Sequence, residues 1–350
     1  MCPRISVHRF SHQAMGTFFE VLISGEDESY AGQAARAAFS EIDRLERLFS
    51  RFDPASEIGR ANRLKPGEEM AIGIESYECL SLAETARRET GGAFDVNVRA
   101  GNLPAPPFLK GGCGEISTMP PAFEIIKSPT GFILRRPRQD PSVFIGLDLD
   151  LGGIGKGYAL DRTLEVLKDW SIENTLINGG TSTVLALGSA PPDLLDDMMK
   201  DLFPAGEERP RRDFGNDGKA TLSIPELSDV SPHLSDVSPH LFGWPVGVGA
   251  GWPEAPQRAL LSGRALSGSG PEVKGPHILD PRTGLIAQGS LAAWASHPSA
   301  ALSDAFSTSF LVMTADEVEA FCALRPETWA CVVVGYGAVR VFNPNALSGT

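Results

Sequence analysis

The chain has 350 residues, 42% of them hydrophobic, and a formal net charge of −13 at pH 7 with a pI near 5.0. A chain of this length and composition can bury a large core in one domain or in two closely joined domains. The acidic balance argues against a nucleic-acid or anionic-membrane surface, because both kinds of surface need a basic face. An anionic ligand would therefore need local help from glycine turns, a few cations or a metal ion.

The spacing of the cysteines and the N-terminal sequence indicate in which cellular compartment the protein is expected. The cysteines are widely spaced and form no C-x-x-C pair, so neither a zinc site nor a disulfide framework is indicated, and a reducing compartment fits best. The N-terminus lacks the apolar core of a signal peptide, and no segment approaches the ~20 apolar residues of a membrane span. The sequence predicts a cytoplasmic protein. A processed, exported form with lipidation at Cys2 is the alternative.

The N-terminal part of the chain predicts one strand and three helices. The strand covers Phe10–Ile23, with a kink or bulge at Gly16. Apolar residues recur at helical spacing over Ser29–Phe49, which predicts a long amphipathic helix. Ser56 is typical of the N-cap of a short second helix, and a third helix is predicted over Ser76–Thr90.

The stretch from Phe144 to Leu167 predicts a strand, a glycine turn and a helix. Alternating apolar and acidic residues are followed by four closely spaced glycines and then by apolar residues at helical spacing. Glycines leave the backbone uncovered, and a helix N-terminus attracts anions. Lys156 adds a cation there and Asp150 an acceptor. A tight connection in an ordinary α/β protein is the alternative, since the turn matches neither the dinucleotide nor the P-loop glycine pattern.

Hairpins are predicted on both sides of this stretch. Residues 123–127 and 131–135 predict one hairpin, and residues 175–187 predict a strand pair broken by Gly179 and Gly180. Further strands are predicted over 244–250 and 257–266.

Residues 189–242 are rich in Pro and charged residues and repeat LSDVSPH in tandem, which indicates a surface insertion. His233 and His240 within it could form a metal pair. A solvated loop is favoured, because no carboxylate or cysteine supports the two histidines.

Polar residues near the C-terminus and after the third helix have two interpretations each. Asp304, Ser307 and Thr308 share one face at the N-terminal end of a helix predicted over residues 303–313, where their oxygens would suit Mg²⁺. Helix capping is the alternative.

His277 is a lone histidine, and such residues are more often structural than catalytic. Asp95 follows a glycine pair, which favours a surface residue after a helix C-cap.

Seven short blocks occur in a fixed order along almost the whole chain, interrupted chiefly by residues 189–242. They are MGT at 15–17, SRFDPASEIGRAN at 50–62, GGAFDV at 91–96, DLGGIGKGYALD at 150–161, INGG at 177–180, HILDPRTG at 277–284 and SDAFSTSF at 303–310. In this order they resemble the ApbE family of FAD:protein FMN transferases. The resemblance implies an α/β (α+β) fold with mixed sheets in two subdomains. It implies one transferase domain over residues 5–325, with 189–242 as an insertion and 326–350 as a C-terminal extension of the same domain.

The resemblance also implies an activity and its residues. The reaction would be Mg²⁺-dependent, moving FMN from FAD to a Thr or Ser hydroxyl of a target protein and releasing AMP. His277 is the expected general base, since its unperturbed pKa near ~6.5 suits proton transfer. The metal would be held by the Gly153 carbonyl with Asp304, Ser307 and Thr308. The FAD site would contain Met15, Phe52 (where the family usually has Tyr), Ala93, Phe94, Asp95, Asp150, Lys156 and Leu279.

Three departures from the family pattern are expected to touch the acceptor or flavin side of the cleft. Thr181 stands where the family often has an acid, Leu266 stands where it often has Thr, and the loop before His277 is short. They affect the expected efficiency of transfer more than FAD binding. Two alternatives to the transferase therefore stay open: a Mg²⁺-dependent FAD pyrophosphatase that gives FMN and AMP, and an FAD-binding module or chaperone without catalysis.

Overall fold

The structure is a computed structural model that describes residues 6–97, 122–138, 146–192, 194, 242–248, 252, 255–256, 258–270 and 278–347. Several predictions fall outside the described residues: those on Cys2, Cys113, His233, His240 and His277, and those on most of the 189–242 insertion.

Six α-helices have both of their ends within the described residues, and the helices predicted near the N-terminus are confirmed. The side chain of Asp27 caps the first helix by accepting a hydrogen bond from the Tyr30 N–H, and Ser56 caps the second, as predicted. None of these helices is both long and apolar enough to cross a lipid bilayer. The helices are α1 Glu28–Phe49, α2 Glu57–Ala61, α3 Ile74–Glu89, α4 Gly155–Asp169, α5 Ala300–Val312 and α6 Ala315–Ala323.

Thirteen strands in the same residues form three sheets. Strand order is β1-β2-β6-β7-β10-β11-β12-β13 in an eight-stranded sheet and β3-β5-β4 in a second sheet, and β8 and β9 form a hairpin. All of these pairs are antiparallel. The combination of helices and sheets confirms the predicted fold class. The strands are β1 Val7–Ala14, β2 Thr17–Ser24, β3 Glu69–Ile72, β4 Glu124–Ser128, β5 Gly131–Arg135, β6 Thr175–Gly179, β7 Thr183–Leu187, β8 Trp244–Gly247, β9 Arg258–Leu261, β10 Arg264–Ser269, β11 Ala292–His297, β12 Trp329–Val334 and β13 Ala338–Phe342.

The predicted single strand over residues 10–23 is wrong, because the chain reverses at Gly16 instead of bending. Ala14 pairs with Thr17, and the two residues between them have positive φ angles, +50° at Met15 and +71° at Gly16. Two left-handed residues make the tight turn that matches the twist of paired strands. Met is uncommon in that conformation, so the sequence carried only the weaker signal of the glycine.

The large sheet separates two apolar cores. Along β2, Phe19, Val21 and Ile23 lie in the core shared with the helices, whereas Leu22 lies in the core shared with β8 and β9. Side chains alternate between the faces of a strand, so this segregation follows from the sequence of β2. Helix α5 is buried along nearly its whole length in the first core. Its polar residues are therefore held at fixed positions inside the protein.

Candidate active site at the contact of α4 and α5

The predicted strand before the glycine turn is wrong over its described part, residues 146–151, which have no regular structure. Two asparagine side chains replace a neighbouring strand. Asn62 donates to the Leu149 carbonyl (3.0 Å) and accepts from the Leu149 N–H (2.7 Å). Asn97 donates to the Gly146 carbonyl (3.0 Å) and accepts from the Asp148 N–H (2.8 Å). A side-chain amide has the donor and acceptor of a peptide group, so these residues satisfy the extended backbone without a sheet.

Asp150 lies at the end of this segment, where it meets Arg51 and the turn. Its Oδ1 accepts a hydrogen bond from the Gly152 N–H (2.9 Å), and its Oδ2 accepts one from Arg51 (3.0 Å). The guanidinium carbon of Arg51 lies 5.2 Å from the ring centroid of Phe52. Phe52 is 86% exposed as a residue, which leaves its side chain open to a ligand. Arg51 thus links two predicted FAD-site residues.

The other predicted FAD-site residues before the turn are more buried. Ala93 and Phe94 belong to the first core, and Met15 packs against it while donating its N–H to Glu46 Oε1 (2.7 Å). The surface interpretation of Asp95 is wrong, because the residue is only partly accessible and burial raises the pKa of its carboxyl. Its Oδ1 accepts from the Asn97 N–H (2.8 Å), so it also supports the residue that holds Asp148.

The glycine turn over residues 152–154 packs against α5. A Cβ placed on Gly153 would lie 3.3 Å from Phe94 and 3.5 Å from Thr308 Oγ1. Lys156 Nζ donates to the Gly152 carbonyl (2.9 Å) and lies 4.0 Å from Asp304 Oδ2. The structure therefore brings the predicted turn residues to the predicted α5 residues.

The capping interpretation of Asp304 is wrong, because α5 begins at Ala300 and its N-cap is Ser299. Asp304 lies in the second turn and is only 3% exposed. Its Oδ2 accepts from the Gly157 N–H at 3.3 Å. Among the described residues, its Oδ1 accepts no hydrogen bond. A carboxylate oxygen without a donor can accept a hydrogen bond or ligate a cation.

Hydroxyl groups surround the main chain of Asp304. Ser307 Oγ and Thr308 Oγ1 donate to the Asp304 carbonyl at 2.9 and 3.2 Å. Ser269, at the end of β10, lies 2.9 Å from Ser307 Oγ and 3.4 Å from Thr308 Oγ1. The sequence analysis did not identify Ser269, nor did it identify Arg51 and Asn62, although the last two lie inside a family block.

Two predicted positions, Met15 and Leu279, are not joined to this contact by hydrogen bonds among the described residues. Leu279 forms an isolated antiparallel bridge with Ile286. In the described part of the chain, neither Leu279 nor Met15 shares a hydrogen bond with another predicted site residue. Leu266 is fully buried in the core with Trp294, on the β10 face opposite Ser269, so the expectation that it touches the cleft is wrong.

Comparison with known proteins places this chain in a family. The family model of the ApbE family matches residues 15–196. An FAD:protein FMN transferase of Klebsiella pneumoniae (strain 342) is 27% identical over 187 residues, which cover 50% of this chain and 54% of that protein. The chain thus matches about half the length of this curated relative.

Solved structures have a similar fold. The flavinyl transferase ApbE of Pseudomonas stutzeri, in its apo form, superposes with a TM-score of 0.67 at 20% identity, covering 100% of this chain and 99% of that one. The ApbE protein of Thermotoga maritima gives 0.63 at 20% identity, covering 99% and 100%. At these identities the likeness concerns the fold, whereas the family model matches the sequence itself over more than half of the chain. The chain belongs to the ApbE family.

Proposed function

We propose that this protein is an FAD:protein FMN transferase, which moves FMN from FAD to a Thr or Ser hydroxyl of an acceptor protein and releases AMP with the help of Mg²⁺. Family membership and the name of the Klebsiella relative support the transferase chemistry. The observation that carries the proposal is the contact of the glycine turn at Gly153 with the half-buried Thr308, whose hydroxyl donates to the carbonyl of the buried Asp304.

The glycine turn suits a pyrophosphate. Transfer of FMN breaks the bond between the two phosphates of FAD, and the main requirement of that reaction is stabilisation of charge on the phosphate oxygens. The N-terminus of α4 offers its positive end, and Lys156 adds a full charge beside it. An acidic protein can thereby hold an anionic ligand at one place.

The α5 residues fit a Mg²⁺ ion. Asp304 supplies a buried carboxylate with one oxygen free of donors among the described residues, and Ser307 and Thr308 supply hydroxyl oxygens. The Gly153 carbonyl would complete a set of hard oxygen ligands, and bound Mg²⁺ would stabilise negative charge on the phosphates. The described residues contain no group of three or more His, Cys, Asp or Glu that could hold a metal. A single carboxylate leaves room for phosphate oxygens as ligands.

The residues around Asp150 would bind the nucleotide parts of FAD. Asp150 is an acceptor fixed by Arg51 and the Gly152 N–H, and the exposed Phe52 offers a face on which a planar ring can stack. We assign to His277 the role of the general base that takes the proton of the acceptor hydroxyl.

The domain boundaries belong to the same proposal: one transferase domain over residues 5–325, an insertion at 189–242 and an extension at 326–350. Strands β12 and β13 pair into the same sheet as β1, which supports the view that the extension is part of the domain.

The test is an incubation of the protein with FAD, Mg²⁺ and a peptide that bears a Thr or Ser acceptor. We expect AMP and peptide-linked flavin. Asp304→Asn removes one formal charge and should reduce Mg²⁺-dependent AMP release by orders of magnitude. Asp316→Asn is the matched control, because the Asp316 side chain is 92% exposed on α6.

Each other outcome contradicts a part of the proposal. AMP with free FMN would indicate a pyrophosphatase, and bound but intact FAD would indicate a binding protein. Undiminished AMP release by Asp304→Asn at an unchanged melting temperature would remove Asp304 from the metal site.

A further inference from the structure

Asp161 is a half-buried carboxylate that the proposed reaction does not use. It lies in the second turn of α4, yet it accepts three hydrogen bonds from the start of α5: from Ser299 Oγ (2.8 Å), Ala300 N–H (2.7 Å) and Ala301 N–H (3.0 Å). The first N–H groups of a helix have no partner within the helix, and its N-terminus attracts negative charge. Asp161 therefore caps a helix to which it does not belong.

The contact between the two helices continues one turn further at Gly157. A Cβ on Gly157 would lie 2.2 Å from the Ala300 carbonyl oxygen, so only glycine permits this approach of the two backbones. The Gly157 N–H also donates to Asp304 Oδ2 (3.3 Å). Gly157 precedes Asp161 by four residues and Asp304 follows Ala300 by four, so the two contacts lie one helical turn apart on both helices.

A third contact lies four residues further along, between Gly153, in the glycine turn just before α4, and Thr308 on α5, where a Cβ on Gly153 would be 3.5 Å from Thr308 Oγ1. We call the three contacts the α4–α5 ladder: Asp161 with Ala300, Gly157 with Asp304, and Gly153 with Thr308. The second and third contacts contain the residues proposed to hold the metal. The first contains none of them, but it joins helices α4 and α5, which also make the second contact.

We propose that Asp161 is a positioning residue of the transfer reaction: by holding the N-terminus of α5 it sets the register of the α4–α5 ladder, and with it the position of Asp304 and Thr308 relative to the glycine turn. This proposal rests on the proposed function for its consequence in catalysis. A residue that acted only as a helix cap would contribute to stability and would leave the metal site unchanged.

The test compares Asp161→Asn with Thr314→Ala. In Asp161→Asn an amide group replaces one of the two carboxylate oxygens, so at least one of the three hydrogen bonds is lost together with the charge. Thr314→Ala is the matched control, because it removes the N-cap side chain of α6, which lies outside the α4–α5 ladder. Loss of such a cap costs about 1 kcal/mol. Ser299→Ala is a second variant that keeps the charge of Asp161: it removes one hydrogen bond to Asp161 and also the N-cap side chain of α5, which accepts from the Leu302 N–H.

Two quantities are measured beside the melting temperature: Mg²⁺ binding by calorimetry in the presence of FAD, and the Mg²⁺ concentration that gives half-maximal AMP release. For Asp161→Asn we expect both to shift toward weaker Mg²⁺ binding by about 10- to 100-fold, the usual cost of losing a group that orients a metal ligand. Ser299→Ala should shift them less in the same direction, and Thr314→Ala should lower only the melting temperature.

The proposal is wrong if the Asp161 and Ser299 variants lower the melting temperature as Thr314→Ala does and leave Mg²⁺ binding unchanged. If Asp161→Asn does not fold, an unshifted Mg²⁺ response of Ser299→Ala leads to the same conclusion. Wild-type protein that binds Mg²⁺ but releases no AMP contradicts the proposed function, while calorimetry of the variants still decides the role of Asp161. Wild-type protein that binds no Mg²⁺ with FAD present contradicts both.

Discussion

The two carboxylates of the candidate site, Asp304 and Asp150, are held in different ways. Asp304 lies on a helix that is buried along nearly its whole length, and its position follows from the contact of α5 with α4. Asp150 follows an irregular segment whose backbone is bonded by the side chains of Asn62 and Asn97. The first half of the site is therefore fixed by packing, and the second half by a few hydrogen bonds from distant residues.

This difference predicts how each half responds to substitution. The backbones of α4 and α5 are closely packed, so a shift of one helix affects every contact between them. A substitution at this contact should therefore affect stability and metal binding together. Hydrogen bonds contribute about 0.5–1.5 kcal/mol each and can be removed singly. A change at the asparagines should therefore affect the position of Asp150 and leave the α4–α5 ladder in place.

The largest effect is expected for Gly157→Ala. The added methyl group would lie 2.2 Å from the Ala300 carbonyl oxygen and 2.8 Å from the Ala301 Cα, both of them backbone atoms that cannot rotate away. Forcing the helices apart should lower the free energy of unfolding by about 3 kcal/mol, the upper end of the usual cost of overpacking, and should abolish AMP release. Urea denaturation and an AMP assay measure the two effects.

Gly155→Ala is the matched control on the same helix. A Cβ there would lie 3.4 Å from the Leu151 Cβ and 3.8 Å from a Phe49 ring carbon, which are ordinary contacts. Alanine is the better helix former, so this variant should be as stable as the wild type or more stable. Equal stability of the two alanine variants would contradict the tight approach of α4 and α5.

A smaller and more local effect is expected for Asn62→Ala. The substitution leaves the N–H and carbonyl of Leu149 without their partner, which should cost about 1–3 kcal/mol of stability. Because Leu149 precedes Asp150, the affinity for FAD should fall, while Mg²⁺ binding measured by calorimetry should change little. Asn174→Ala is the control. It also removes an asparagine side chain that bonds the backbone, in this case the acceptor of the Ser189 N–H, but it does not touch the segment before Asp150. Equal loss of FAD affinity in both variants would contradict the role of Asn62.

The same difference explains what the sequence could predict. Helix α1 and the hairpin of β6 and β7 follow from local periodicity and glycine pairs, and the order of the seven blocks was enough for the family. The prediction of a strand before the glycine turn was wrong because the alternation of leucines and acids there has another cause. Leu147, Leu149 and Leu151 pack into the core, and Asp150 on the other side accepts a hydrogen bond from Arg51. Alternation indicates an extended backbone, and an extended backbone can form outside a sheet.

Contacts between distant residues leave no such pattern. Asn62 is 87 residues from its partner Leu149, and Asp161 is 139 residues from Ala300, so no window of the sequence shows either contact. The start of α5 was misplaced for a similar reason. Its cap is Ser299, while Asp304 with its neighbouring hydroxyls looked like a helix start although it serves the α4–α5 ladder.

The smallest expected effect is that of pH on stability, and it should differ between the α5 half of the site and the Asp150 half. His297 lies beside the start of α5, and its Nδ1 accepts a hydrogen bond from the Ser299 N–H (3.0 Å). Burial, together with the charge of Arg264, lowers the pKa of His297 below its usual value, whereas the charge of Glu327 acts in the opposite direction. The neutral ring is therefore the form that supports the helix end, because a protonated Nδ1 cannot accept.

The direction of the pH dependence follows from proton binding. Since the pKa of His297 in the folded protein is lower than the value near ~6.5 in the unfolded chain, the unfolded state binds more protons between these two values. The stabilisation by neutral His297 is complete above about pH 6.5 and is lost as the pH falls toward the folded-state value. The amide side chains of Asn62 and Asn97 do not titrate, so acid should weaken the α5 half of the site first.

Denaturation of the wild type and of His297→Gln at pH 7.5 and pH 5.5 tests this, because the difference between the two proteins cancels the titration of all other groups. The advantage of the wild type should shrink at the lower pH, by less than the cost of Asn62→Ala, and parallel loss of stability in both proteins would show that His297 does not titrate against the start of α5.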